Sequence, residues 1–158
     1  MRKVIDLQTL ARRSQELRAA GKSLVATNGC FDLLHPGHVR YLQKARSLGD
    51  ALVVGLNGDE SVRNLKGPGR PINNANDRAE VLAGLEAVNF VVIFPEDRAI
   101  RFLEAARPAI YVKGGDYTPE NLNSEERAVL EKVGARIEII PFEKGHSTSA
   151  LLDRLKNS

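Results

Sequence analysis

Hydrophobic positions along this chain fall into two alternating patterns. Short apolar runs at 23–26, 51–57, 88–94 and 109–112 read as strands buried on both faces, the type found in parallel sheets. A fifth run, Arg136-Ile137-Glu138-Ile139-Ile140, alternates like a strand nearer the sheet edge. Between the runs, apolar residues recur at helical spacing over about 39–48, 73–85, 97–106 and 124–133, and again at Leu151, Leu152 and Leu155. A further amphipathic helix is predicted over 1–20, with Leu7, Leu10, Ala11 and Leu17 inward and Gly21 as its stop. It is expected on the outside of the core or against a second subunit. Residues 61–72, rich in Lys, Arg, Gly and Pro, read as a loop. Strands alternating with helices predict a doubly wound parallel five-stranded α/β sheet. No linker or repeat interrupts it, so 1–158 reads as a single domain, an N-terminal helix over 1–21 preceding a core over 22–158.

One stretch changes this from a fold to a site. Thr27-Asn28-Gly29-Cys30-Phe31-Asp32-Leu33-Leu34-His35-Pro36-Gly37-His38 links the first strand to a helix, turning through Asn28-Gly29 and opening the helix at Pro36. Proline suits a first helical position because the amide it lacks would be unpaired there. Free amides and the helix dipole make such an entrance attractive to anions, and Gly37 lets a ligand approach the backbone. His35 and His38, three apart, share one side of the opening turn. As metal ligands they lack a third partner, since Cys30 completes only a poor zinc set.

Other candidates lie at the same edge, where ligands of open α/β sheets collect. Asn57 and Asp59 follow the second strand, Asp59 equally fitting the start of a helix. Lys66 sits in the glycine- and proline-rich segment, with Arg70 behind it, and such a loop can close over phosphates. After the fourth strand come Lys113-Gly114-Gly115-Asp116-Tyr117, where paired glycines mark close approach to the backbone. Gly145-His146-Ser147-Thr148-Ser149 then enters the C-terminal helix, a second anion entrance or a plain N-cap.

Composition narrows the class. The net charge of +3 is too mild, and its basic residues too scattered, to argue for nucleic acid. A single cysteine forms no internal disulfide and suits a reducing compartment. No apolar run reaches membrane-spanning length and no signal-like segment leads the chain, so a cytoplasmic protein is expected.

His35-Pro36-Gly37-His38 after Asn28-Gly29-Cys30-Phe31-Asp32 resembles the HxGH motif of the nucleotidyltransferase superfamily, which includes cytidylyltransferases, pantetheine-phosphate adenylyltransferase and class I aminoacyl-tRNA synthetases. The Val112-Lys113-Gly114-Gly115-Asp116-Tyr117 run is most similar to the D-glycero-β-D-manno-heptose 1-phosphate adenylyltransferases. That resemblance implies a Rossmann-like fold and transfer of AMP from ATP to the sugar phosphate, giving ADP-heptose for lipopolysaccharide precursors and releasing pyrophosphate. It implies catalytic roles for His35, His38 and Lys66. Nucleotide contacts are implied for Asn28, Gly29, Cys30, Phe31, Gly37, Asn57, Arg78, Gly145, Ser147 and Thr148, and substrate contacts for Asp32, Lys113, Gly114 and Asp116. Arg78 fits the arginine that the family holds in a helix near the phosphates. Magnesium accompanies ATP in this picture, and no protein metal site is expected. A homodimer is implied, as is coupling to a separate heptose kinase, since the family's fused kinase has no room here. Two other readings stand beside it. A glycerol 3-phosphate cytidylyltransferase would share the histidine turn, but Phe142 stands where those enzymes carry arginine and the Lys113–Tyr117 form is absent from them. A non-catalytic nucleotide-binding module would not need both histidines. Ser149 departs from the family's more usual threonine but keeps the hydroxyl.

Overall fold

The computed structural model describes residues 2–115, 117–141 and 147–157. Five parallel strands lie in the order β3-β2-β1-β4-β5, with β1 spanning Leu24–Gly29, β2 Ala51–Asn57, β3 Phe90–Phe94, β4 Ile110–Gly114 and β5 Arg136–Ile140. The chain winds outward from β1 through β2 to β3, then crosses to β4 on the other side. Connections therefore diverge between β1 and β4, opening a crevice beyond the carboxyl ends of those strands. The alternating strand of the sequence, β5, is indeed at an edge.

Both faces of the sheet are covered, which is why its central strands are apolar along most of their length, with polar residues only toward their carboxyl ends. Val25, Leu52, Val54 and Val112 pack beneath Leu42 of α2 (Pro36–Arg46) and Leu82 of α4 (Ala75–Ala83). Leu24, Ala26, Val53 and Tyr111 face Leu10 of α1 (Leu7–Ala19), Phe102 of α5 (Ile100–Ala106) and Leu130 of α6 (Ser124–Val133). Helices α3 (Asp59–Lys66) and α7 (Thr148–Lys156) complete the set, with a short 3-10 turn at Pro119–Asn121.

Three expectations need correction. The segment after β2 is not a loop throughout, because α3 occupies Asp59–Lys66 and the loop begins only at Gly67. Asp59 and Glu60 in its first turn and Arg63 and Lys66 in its last complement the helix dipole, and Val62 alone supplies the fully buried apolar anchor. That is too little periodicity to detect. The N-terminal helix starts at Leu7, capped by Asp6, which accepts from the Thr9 amide at 2.7 Å. Residues before it run beside β3 instead: the Ile5 amide donates to Val91 O at 2.9 Å and the Val91 amide to Lys3 O at 2.8 Å. Helix α1 itself packs on the core, with Leu10 fully buried and the Ser14 hydroxyl donating to Ala106 O of α5. Finally, β1 continues through Asn28 and Gly29, which pair with Gly55 and Leu56, so the turn starts at Cys30.

Close packing across the second face has a measurable consequence. A Cβ placed on Gly55 would stand 2.7 Å from the Phe102 ring. That ring is fully buried and stacked on Phe94 at 5.9 Å between centroids, so it has nowhere to go. Gly55→Ala is expected to cost about 1–3 kcal/mol, read as a lower urea midpoint at unchanged slope.

Candidate active site

The two histidines build the entrance to α2 themselves. His35 is the N-cap, in extended backbone, and its Nδ1 accepts from the Gly37 amide at 3.1 Å. His38, three residues on, accepts from the His35 amide at 3.3 Å through its own Nδ1. This is the reciprocal capping box that serine and glutamate usually form, made here by imidazoles. With Nδ1 accepting, a neutral ring must carry its proton on Nε2. The ring centroids are 3.9 Å apart, and Phe31 packs on His38 at 5.5 Å. Burial, and then the neighbouring His35, pull the His38 pKa from 6.5 down to about 4. At neutral pH His38 is therefore an uncharged hydrogen-bond donor rather than a cation.

The preceding turn is held from three sides. Phe31 sits at φ 47°, an uncommon conformation for a residue with a side chain, and is fixed there by packing in the core. The side chain of Asp32 has no exposed surface. Its carboxylate accepts from Arg70 Nε at 2.8 Å, from the Ile72 amide at 2.8 Å and from the Asn73 amide at 3.1 Å. Burial pushes the Asp32 carboxyl up, yet those amides and Arg70 together outweigh it and hold it below the ordinary value. Asp32 thus ties the loop after α3 to the histidine turn.

Arg78 is engaged with the protein itself. It is 2% exposed, and its guanidinium donates to Cys30 O (2.7 Å), Asn57 O (2.9 Å), Asn73 O (2.9 Å) and the Asp59 carboxylate (2.8 Å). One planar group therefore ties together the turn after β1, the end of β2 and the starts of α3 and α4. Asn57 is buried as well, donating from Nδ2 to Ser61 Oγ at 2.9 Å inside α3, so its side chain braces that helix. A brace that the sequence did not suggest joins α2 to the sheet. Tyr41 OH and Thr27 Oγ1 lie 2.7 Å apart, and both reach Val112 O.

Around the turn lie the remaining candidates. Asn28 accepts a hydrogen bond from Tyr111 OH at the end of β1. Cys30 is partly buried, and burial raises its thiol pKa against the pull of Lys66. Lys66 is exposed at the last position of α3, followed by Gly67 and Gly69 in the left-handed region that favours glycine. Lys113 and Gly114 end β4, with Lys113 Nζ 4.7 Å from the Tyr117 ring centroid. Burial lowers the Lys113 pKa, opposed by the charge of Glu126. Asp116 and Gly145 lie outside the described residues, as do Phe142 and His146.

Helix α7 meets the turn directly. Ser147 is its N-cap, accepting from the Ala150 amide at 2.9 Å, and Thr148 Oγ1 donates to Leu33 O at 2.9 Å. Leu33 stands two residues before His35, so the entrances of α2 and α7 open on one crevice. Two positive helix ends, two imidazoles and nearby lysines form a surface suited to a chain of phosphates. Among the described residues no three metal-ligating side chains cluster.

The cytidylyltransferase-like family model matches residues 26–154. The bifunctional protein HldE of Geobacter metallireducens is 50% identical over 153 residues, 97% of this chain and 31% of that protein. HldE of Geotalea uraniireducens is 51% identical over 154 residues, again 31% of its length. The chain thus spans about a third of the curated relatives it matches. A lipopolysaccharide core biosynthesis protein from Thermoplasma volcanium superposes with a TM-score of 0.64 at 28% identity, covering 80% of this chain and 100% of that one. A pantoate-beta-alanine ligase from Francisella tularensis shares the fold, with a TM-score of 0.61 at 14% identity, covering 100% of this chain and 74% of that one. The matched region takes in the histidine turn, Lys66, the end of β4 and the entrance of α7, and the chain belongs to the cytidylyltransferase-like family of nucleotidyltransferases.

Proposed function

We propose that this chain transfers AMP from ATP to D-glycero-β-D-manno-heptose 1-phosphate, forming ADP-heptose and pyrophosphate for lipopolysaccharide precursor synthesis. The observation that carries the reading is the Thr148–Leu33 hydrogen bond, which sets two helix entrances against one crevice. Relatives at about half identity over nearly the whole chain support the choice among acceptors.

A phosphate monoester is largely dianionic at neutral pH, its second pKa being about 6, so it needs no general base. Its oxygen attacks the α-phosphorus of ATP in line, the new P–O bond forms, and the bond to the β-phosphate oxygen breaks to release pyrophosphate. His35 and His38 donate to the crowded α-phosphate. Lys66 and the entrance of α7, with Ser147 and Thr148, receive the β- and γ-phosphates. Asn28, Gly29, Cys30, Phe31 and Gly37 line the approach, and Lys113 and Gly114 border the acceptor. Arg78, Asn57 and Asp32 act by holding this surface in shape. Magnesium needs only one or two carboxylates when phosphates supply the rest of its ligands, which suits a chain whose described residues form no cluster of three metal-ligating side chains. When bound it neutralises charge on the triphosphate. A kinase that makes the sugar 1-phosphate is the required supplier, and action in the cytoplasm as a homodimer completes the proposal.

Pyrophosphate release tests it, using the full chain with magnesium, ATP or CTP, and heptose 1-phosphate or glycerol 3-phosphate. The expected result is turnover with ATP and the heptose. Turnover confined to CTP and glycerol 3-phosphate would overturn the assignment, and ATP binding without turnover would mark a sensing module.

A further inference from the structure

We propose that the small cavity between β4, the segment before α5 and the start of α6 receives a hydroxyl-bearing arm of the sugar acceptor, with Glu126 and Asn123 selecting it. This deepens the adenylyl-transfer reading and rests on it. The cavity holds about 50 Å³ and is lined by Arg98, Tyr111, Lys113, Tyr117, Asn123 and Glu126. A water-sized site needs roughly 10–15 Å³ on this measure, so there is room for a few polar atoms and none for a purine.

Glu126 is 9% exposed, and its carboxylate accepts no hydrogen bond among the described residues. Its oxygens are not sealed in protein, as Glu96 Oε2 is, but open on the cavity, where an incoming group can donate to them. Asn123 uses its Oδ1 to cap α6, accepting from the Glu125 and Glu126 amides at 3.1 Å each, which leaves its amide hydrogens to donate. Acceptor and donor thus stand side by side, the complement of a hydroxyl pair, each member of which both gives and takes a hydrogen bond. Directly against the Glu126 carboxylate a phosphate would meet like charge, whatever Arg98 and Lys113 offer elsewhere on the wall. A neutral polyhydroxyl group has no such penalty.

The cavity also adjoins the crevice. Tyr111 forms its wall and donates to Asn28 on β1. Lys113, another wall residue, lies within electrostatic reach of Glu126, Cys30 and Lys66. An acceptor with its phosphate at the histidine turn would therefore place its far hydroxyls here.

The test compares heptose 1-phosphate with mannose 1-phosphate, which lacks the seventh carbon. Glu126→Gln is expected to raise KM for heptose 1-phosphate about tenfold or more, leave KM for ATP unchanged and erase the preference over mannose 1-phosphate. Arg98→Ala, at an exposed position, is a second variant that spares the fold and is expected to weaken the same KM. Retained preference, or a shift in KM for ATP instead, overturns the pocket. If the unaltered chain turns over neither sugar phosphate, the adenylyl-transfer reading has failed. Calorimetry with heptose 1-phosphate then decides the pocket alone: equal affinity of the unaltered and Glu126→Gln chains overturns it.

Discussion

Replacing His38 by alanine is expected to lower kcat for the proposed adenylyl transfer by about 10²–10³-fold, the usual loss when one preorganised donor to a developing anion is removed. KM for ATP is expected to change little, because the proposed mechanism leaves the outer phosphates to Lys66 and the α7 entrance. The mode of action sets the pH profile. A cationic histidine would lose activity as pH rises through its ordinary range, whereas His38, with a pKa of about 4, stays a neutral donor throughout that range. Activity is therefore expected to be flat in this residue's contribution from pH 6 upward. Stability follows the same group with a definite sign. Between pH 4 and 6.5 the unfolded chain binds a proton at His38 that the folded chain refuses. Stability hence rises with pH across that window and is fully present above it. In His38→Ala this part of the acid slope disappears. Pyrophosphate release and thermal melts from pH 5 to 9 check both statements, and near-normal turnover in a folded His38→Ala chain would remove the residue from the chemistry.

Arg78→Ala carries the largest expected loss of stability. Removing the guanidinium leaves the carbonyls of Cys30, Asn57 and Asn73 and the Asp59 carboxylate without their donor. Breaking a buried charged network from one side costs about 3–5 kcal/mol, against a total of roughly 5–15 kcal/mol for an ordinary domain. Urea denaturation should place the midpoint far below that of the unaltered chain, with part of the population unfolded in buffer. Arg78→Lys keeps the charge but not the planar fork, so a single ammonium cannot reach all four acceptors. It should fall between the two. A phosphate-binding arginine would behave otherwise, weakening nucleotide affinity with little change in midpoint. An unchanged midpoint in Arg78→Ala would disprove the bracing role.

Arg78 and Asp32 also show where sequence reading reaches its limit. Charge beside a phosphate-binding motif invites assignment to the ligand. Whether the charge is instead met by backbone carbonyls or amides is decided by tertiary neighbours 21 to 48 positions away, which no local pattern displays. The strands were legible because a sheet covered on both faces demands unbroken apolar runs, and β5 because an edge position relaxes that demand. Helix α3 escaped because Val62 alone carries its fully buried apolar contact. The histidine turn was readable as an anion entrance from Pro36, Gly37 and the spacing of His35 and His38. Its tautomers were not, since they follow from which amide meets which ring nitrogen. Glu126 was visible only as an acid in the first turn of a helix, and its position on a cavity wall emerged from the packing of α6 near Tyr111 and Lys113.

Helix α7 has no fully buried residue, and Thr148 fastens it across 115 positions to the peptide oxygen of Leu33. With so shallow a mooring, the proposed binding of phosphates in the crevice would make occupancy and attachment of α7 a single linked equilibrium. Any solute that bridges the two helix ends will tighten the seam, and whatever loosens the seam will weaken the solute by the same factor.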